Sequence, residues 1–235
     1  MCPYAFLLNY IKHTPKKPMF FSEYGSFIHK LIEQHLNGEF EKDALAKEYL
    51  TRFKSEVIGK APSRDIFKSY FEQGFSYFSN FSFPYKNPLF VEQRVNFDID
   101  GKPFVGVIDC VAKENDEIIL LDNKSRALKP RSNRKKPTKT DGELDRYLRQ
   151  LYLYSIPIKD IFHVYPTRLE FNCFRTGQLI SEPFKIDELE RAKQWASESI
   201  NTIIENDDWS PKLDFWKCNH ICDLSEECEY YAMNK

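Results

Sequence analysis

The stretch VGVIDCVAKENDEIILLDNKSR, residues 105–126, carries Asp109, Asp122 and Lys124 within two otherwise apolar runs. Residues two apart on a strand face the same way, so Asp122 and Lys124 project together, in register with Ile118 and Leu120. Asp109 lies one short hairpin away and can reach the same side of the sheet. Two carboxylates and an ammonium at one sheet edge are costly to leave unpaired. An ion pair between Lys124 and either aspartate would satisfy them at a strand end. A second chemistry is also open. Hard divalent cations such as magnesium take oxygen ligands, which two aspartates and a strand carbonyl can supply. A nearby lysine can then orient or polarise an attacking water and offset charge on a phosphate. Asp109, Asp122 and Lys124 are therefore the candidate catalytic residues.

The elements that must position them follow from hydrophobic period. Residues 89–99, 102–113 and 117–125 alternate with period two and predict consecutive antiparallel strands, with turns at Asp100-Gly101 and Asn115-Asp116. Gly106 thins the middle strand, so that a helix or backbone can approach closely. Ahead of the strands, CPYAFLLNYIKHT has helical spacing, and a second helix is expected from a Ser22 cap to Asn37-Gly38. Residues 41–81 read as two or three more helices, broken near Gly59–Pro62. Residues 142–156 predict a helix, 160–166 and 168–176 two more strands, and 187–206 a long amphipathic helix. The expected architecture is α/β, a central mixed sheet flanked by helices, within one domain over 1–235. Its parts are a helical N-terminal portion (1–88), a core (89–206) and a cysteine-rich tail (207–235).

A net charge of −1 gives the 235-residue chain no long-range attraction for nucleic acid, so any such binding must be local. KSRALKPRSNRKKPTKT, residues 124–140, is such a patch, with eight lysines and arginines and no acid. It reads either as a solvated loop or as a phosphate-binding segment. The 42% apolar fraction and twenty phenylalanines argue for a packed globule. No run reaches the roughly eighteen apolar residues that span a bilayer, and no charged region precedes the first short apolar stretch. A cytoplasmic protein is expected.

Of the six cysteines, Cys110 and Cys173 sit in alternating apolar runs and read as small buried side chains. Cys2, Cys218, Cys222 and Cys228 gather at the two chain ends. Four thiolates can hold tetrahedral zinc or a four-iron four-sulfur cluster.

An aspartate, a hairpin and then Asp-x-Lys is similar to the core signature of the PD-(D/E)XK nucleases, with Asp109, Asp122 and Lys124 in the signature positions. GSFIHKLIE resembles the RecB-family motif whose histidine joins the metal site, which implies that His29 completes a magnesium or manganese site with Asp109 and Asp122. QLYLY is similar to the family's Gln-x-x-x-Tyr motif and implies that Gln150 and Tyr154 contact DNA, with Tyr147 on the same helical stripe. Glu92 falls where relatives often carry a glutamate near the active site. The terminal cysteines resemble those of the iron-sulfur RecB-like nucleases, the AddB nuclease domain and the CRISPR-associated adaptation exonucleases. That favours a 4Fe-4S cluster on Cys2, Cys218, Cys222 and Cys228 over zinc, clamping the first helix to the tail. The spacing between Cys218 and Cys222 is one residue longer than is usual in relatives, which leaves His220 open as a replacement ligand.

The resemblance implies a restriction-endonuclease-like core and metal-dependent hydrolysis of DNA, from the ends of single-stranded or frayed molecules. Arg131, Arg134, Lys135 and Lys136 of the basic stretch would bind the strand, and a recombination or repair protein is a possible partner. Two other readings stay open: a non-catalytic DNA-binding or docking module on the same fold, and a sequence-specific endonuclease, for which no separate recognition domain is visible.

Overall fold

The computed structural model describes residues 2–232. The chain starts with α1 (Pro3–Phe6), continued by one π-helical turn, and then α2 (Phe20–Leu36), α3 (Leu45–Glu56) and α4 (Arg64–Ser79). The strands β1 (Phe90–Ile99), β2 (Lys102–Glu114) and β3 (Glu117–Asn123) follow. A long helix, α5 (Lys139–Phe162), crosses over to β4 (Arg168–Cys173) and β5 (Gln178–Pro183), and α6 (Ile186–Ile204), α7 (Phe215–His220) and α8 (Glu229–Ala232) complete the order.

The five strands lie in chain order. Every neighbouring pair is antiparallel except β3 and β4, which are parallel because α5 returns the chain to the same end of the sheet. This is the mixed α/β architecture, a central sheet flanked by helices, that the sequence implies. Both predicted hairpins form. Asp100 and Gly101 (φ 53° and 75°), like Asn115 and Asp116 (47° and 66°), take the left-handed conformation that two-residue turns between twisted strands require.

Helix α5 starts with a reciprocal cap, Thr138 with Asp141, and buries Leu144, Leu148 and Leu151 against the sheet with α6 alongside. Full burial of each leucine contributes about 1.5–3 kcal/mol. The N-terminal helices form a separate aromatic cluster, in which Phe20, Tyr24, Phe27, Tyr49, Phe53, Phe78 and Phe81 meet Phe174 from the end of β4. At Gly59 a Cβ would come within 2.4 Å of the Phe20 amide nitrogen, so the chain passes α2 only because that residue is glycine.

Three local expectations are corrected. Residues 160–166 form no strand: α5 runs on through Pro157 to Phe162 and stops at His163, whose φ is 59°. Ile158 is fully buried and the Phe162 ring packs on Phe90, so contact with the sheet outweighs the β-favouring side chains of that run. The fifth strand is Gln178–Pro183 instead, paired along the whole of β4. Ser22 does not cap α2, which begins at Phe20 after Met19. Both residues bury their side chains, and the hydrophobic contact sets the start one turn earlier.

Candidate active site

Helix α2 turns Phe27, Ile28, Leu31 and Ile32 into the aromatic cluster, which leaves His29 on its flank, against the sheet. The imidazole lies between backbone and carboxylates. Its Nε2 donates to the Asn123 carbonyl at 2.9 Å, and its Nδ1 is 3.2 Å from Glu92 Oε1 and 3.4 Å from Asp109 Oδ2. Burial pushes the His29 pKa down, but the Glu92 hydrogen bond and the charges of Asp109, Glu92 and Asp122 outweigh it and raise the value to about 9. Without a metal, the ring is held as a cation.

Asp109 and Asp122 stand on adjacent strands and share a face, one step beyond the Cys110–Leu121 pair. Asp109 Oδ2 accepts the Asn123 amide at 2.7 Å. Burial and the charge of Asp122 raise its pKa to about 7, against the opposing pull of His29. Asp122 is almost fully buried. Burial raises its pKa while Lys124, 2.7 Å from its Oδ2, lowers it. That contact has ion-pair distance without hydrogen-bond alignment, so the buried Oδ2 keeps its acceptor capacity.

Glu92 is where the sheet departs from regularity. Its φ is 48°, and the β1–β2 register passes from Val91–Cys110 to Gln93–Ile108 without pairing Glu92 to Asp109. Ile108 and Val111, three residues apart, pack into the same core cluster, so the in-out alternation slips by one here. A non-glycine residue held in the left-handed region inside a strand costs about 1–3 kcal/mol and persists only where the surrounding structure over-determines it. The result is a compact set. Among the described residues, His29, Glu92 and Asp109 form the group of three ligand-type side chains whose donor atoms all lie within 4.8 Å of one another. Asp122 and Lys124 sit directly beside it as a pair. An imidazole and carboxylates around a buried, under-bonded acid suit a Mg2+ or Mn2+ ion.

Gln150 and Tyr154 are brought to the same place. Lys124 Nζ is 3.5 Å from Gln150 Oε1, and Gln150 Nε2 donates to the Tyr154 hydroxyl at 3.1 Å. Tyr147 offers its ring to Lys124 at 5.4 Å. The close approach expected at Gly106 is real: a Cβ there would lie 2.4 Å from the Tyr154 ring.

The PD-(D/E)XK nuclease superfamily model matches residues 1–229. The chain belongs to this superfamily. No curated protein sequence matches the chain. The crystal structure of SSO0001 aligns with 97% of this chain and 94% of its own at 16% identity, with a TM-score of 0.33.

As a PD-(D/E)XK superfamily member the protein is of a metal-dependent nuclease class that uses Mg2+ or Mn2+. Its basic loop divides in two. Arg131 is engaged by Asp145 at 2.6 Å and Glu182 at 3.0 Å, and Ser132 is bound by Asp141, so the base of the loop is fastened to α5 and β5. Arg134, Lys135 and Lys136 are exposed, with no acidic partner among the described residues.

Cys2, Cys218, Cys222 and Cys228 all line one cavity of about 770 Å³ between α1 and the tail. His220 turns its ring to Trp216 instead. Around the cavity Tyr4 donates to Glu229, Lys17 N–H reaches the Asp223 carbonyl, and Phe6 stacks on Trp209, so the two chain ends are joined by ordinary contacts as well. No helix among the described residues is long and apolar enough to cross a membrane.

Asn123 escapes sequence reasoning altogether. Its N–H holds Asp109, its C=O holds His29, and its side-chain carbonyl accepts from Asn172 at 2.8 Å. Backbone groups carry most of this role, so residue type gives no signal of it.

Proposed function

We propose that this PD-(D/E)XK member is a RecB-like deoxyribonuclease that removes nucleotides from the ends of single-stranded or frayed DNA in the cytoplasm. The observation that carries the reading is the convergence of His29, Glu92, Asp109, Asp122 and Lys124 at one end of the sheet. His29 and Asp109 hold Mg2+ or Mn2+, together with Asp122 on the sequence reading or Glu92 on the geometry. An ion bound there would supply Lewis acidity and lower the pKa of a nearby water. Lys124 positions that water and offsets phosphate charge. Gln150 and Tyr154 steady Lys124 and face the strand, while Arg134, Lys135 and Lys136 attract it, with a smaller share from Arg131.

The same reading places a 4Fe-4S cluster on Cys2, Cys218, Cys222 and Cys228. Tetrahedral zinc, with Zn–S bonds of about 2.3 Å, would draw the sulfurs to about 3.8 Å from one another. The four thiols line one cavity, and the resemblance of their placement at the two chain ends favours the cluster over zinc.

End-labelled linear DNA and covalently closed circular DNA, incubated with Mg2+ or Mn2+, test the activity. Loss of label from linear DNA with circles intact is the expected result. Equal cutting of circles would make the protein an endonuclease, and no cutting of either would make it a non-catalytic module. Protein purified without oxygen should be brown, with iron and sulfide in equal amounts; one zinc per chain and no iron would overturn the cluster.

A further inference from the structure

Two cations stand at the carboxyl ends of the parallel strands β3 and β4. Lys124 follows β3, and its N–H bonds the Asn172 carbonyl at 2.9 Å, extending the ladder past the last paired residues. Arg175 follows β4. Its neighbour Phe174 lies edge-on to the His29 ring at 6.4 Å, and its own Nη1 donates to the carbonyl of Ser125, next to Lys124, at 3.4 Å.

The two cations differ in their partners. Lys124 is paired with Asp122. Arg175 is held by neutral groups alone: its Nε donates to Gln73 Oε1 at 2.7 Å, and its guanidinium lies 3.6 Å over the Tyr70 ring. Among the described residues no carboxylate pairs with it, which is also true of Arg64, Arg94, Arg134, Arg146 and Arg149; what sets Arg175 apart is that Gln73, the Ser125 carbonyl and the Tyr70 ring together fix it beside the acidic centre. A guanidinium fixed by a ring and two uncharged acceptors has little side-chain freedom left to lose on binding. It also keeps its full charge and three of its five N–H donors. Its planar fork matches a phosphate.

We propose that Arg175 binds a backbone phosphate of the DNA strand, next to the phosphodiester held at the acidic centre. This rests on the nuclease reading above. The competing role is purely mechanical, a clamp between α4 and the β4–β5 turn.

Two variants separate the roles. Arg175→Gln removes the charge, and Gln73→Glu leaves the arginine in place but gives it an acidic partner. Binding of a fluorescein-labelled single-stranded oligonucleotide is measured in EDTA, to prevent hydrolysis, over a range of salt. Both variants should bind about tenfold more weakly, with a log–log salt slope shallower by about 0.7, the share of one phosphate contact. Gln73→Glu should melt no lower than the parent, since an Arg–Glu pair keeps the clamp. Arg175→Lys should keep the slope and lose about threefold in affinity with its stacked fork, so the inference stays testable if Arg175→Gln misfolds. Parent-like affinity and slope in Gln73→Glu or folded Arg175→Gln, or parent-like affinity in Arg175→Lys, would overturn the role of Arg175 while the nuclease reading stands. Failure of the parent protein itself to bind the oligonucleotide in EDTA would also overturn the role of Arg175, while the nuclease reading is tested separately by cleavage of labelled DNA with Mg2+ or Mn2+.

Discussion

The acidic centre and the cysteine-lined cavity both gather side chains of metal-ligating type, but the protein builds them in opposite ways. The acidic centre draws on α2, β1, β2 and β3, and its ligand atoms are already close, because the Asn123 backbone fastens Asp109 and His29 together. The cavity is made from short helices and loops at the chain ends, and its thiols line a wide space. One site has its ligand-type atoms drawn together by the sheet and the Asn123 backbone, while the proposed cluster would have to bridge the space between the thiols of the other. Loss of a ligand should therefore cost activity at the first site and stability at the second.

The largest expected effect is at the first site. Asp109→Asn or Lys124→Ala should lower cleavage of labelled DNA by more than the ~10- to 100-fold typical of outer-shell partners. For Asp109→Asn, whose amide oxygen can still accept from the Asn123 N–H, melting temperature and DNA affinity should stay close to those of the parent, whereas Lys124→Ala also leaves buried Asp122 without its cation and should melt lower. A comparable collapse of stability in Asp109→Asn would erase the distinction between the two sites. Cys222→Ser should do the reverse, bleaching the protein and destabilising it by about 2 kcal/mol, a fall in Tm of roughly 4–8 °C. An unchanged Tm in the anaerobically purified variant would show that the ordinary contacts around Tyr4 and Lys17 hold the ends without help.

The pH dependence sharpens the contrast further. Asp109, raised from its ordinary 3.8 to about 7, and His29, raised from 6.5 to about 9, both bind protons more readily folded than unfolded. Such groups stabilise the fold at low pH and lose that contribution as pH rises. Thermal melts of metal-free protein should therefore decline in Tm as pH rises, through Asp109 between about 4 and 7 and through His29 between about 6.5 and 9. Saturating Mn2+ should restore stability at the alkaline end, since bound metal displaces the imidazole proton. Cys222→Ser should keep the same profile, displaced downward.

The smallest effect is expected from the basic loop. Alanine at Arg134, Lys135 and Lys136 should flatten the salt slope for single-stranded DNA by up to about two units, if each contacts one phosphate. Arg131→Ala alone should change the slope less and the stability more, because its charge is already met by Asp145 and Glu182.

Much of this protein is legible in the sequence. Period-two alternation marks the three strands around Asp109 and Asp122, the Asp-Gly and Asn-Asp dipeptides mark their turns, and Asp-x-Lys with two flanking motifs leads to the superfamily. These signals are local: they depend on which side chains neighbour one another along a strand or helix. Tertiary structure alone decided the rest. The positive φ of Glu92 that places its carboxylate beside His29, the continuation of α5 past Pro157, and the neutral cradle of Arg175 all arise from contacts between elements distant in the chain. The engagement of Arg131 by acids is of the same kind: in the sequence it is one cation among eight, and only the fold shows which ones are free to meet a phosphate.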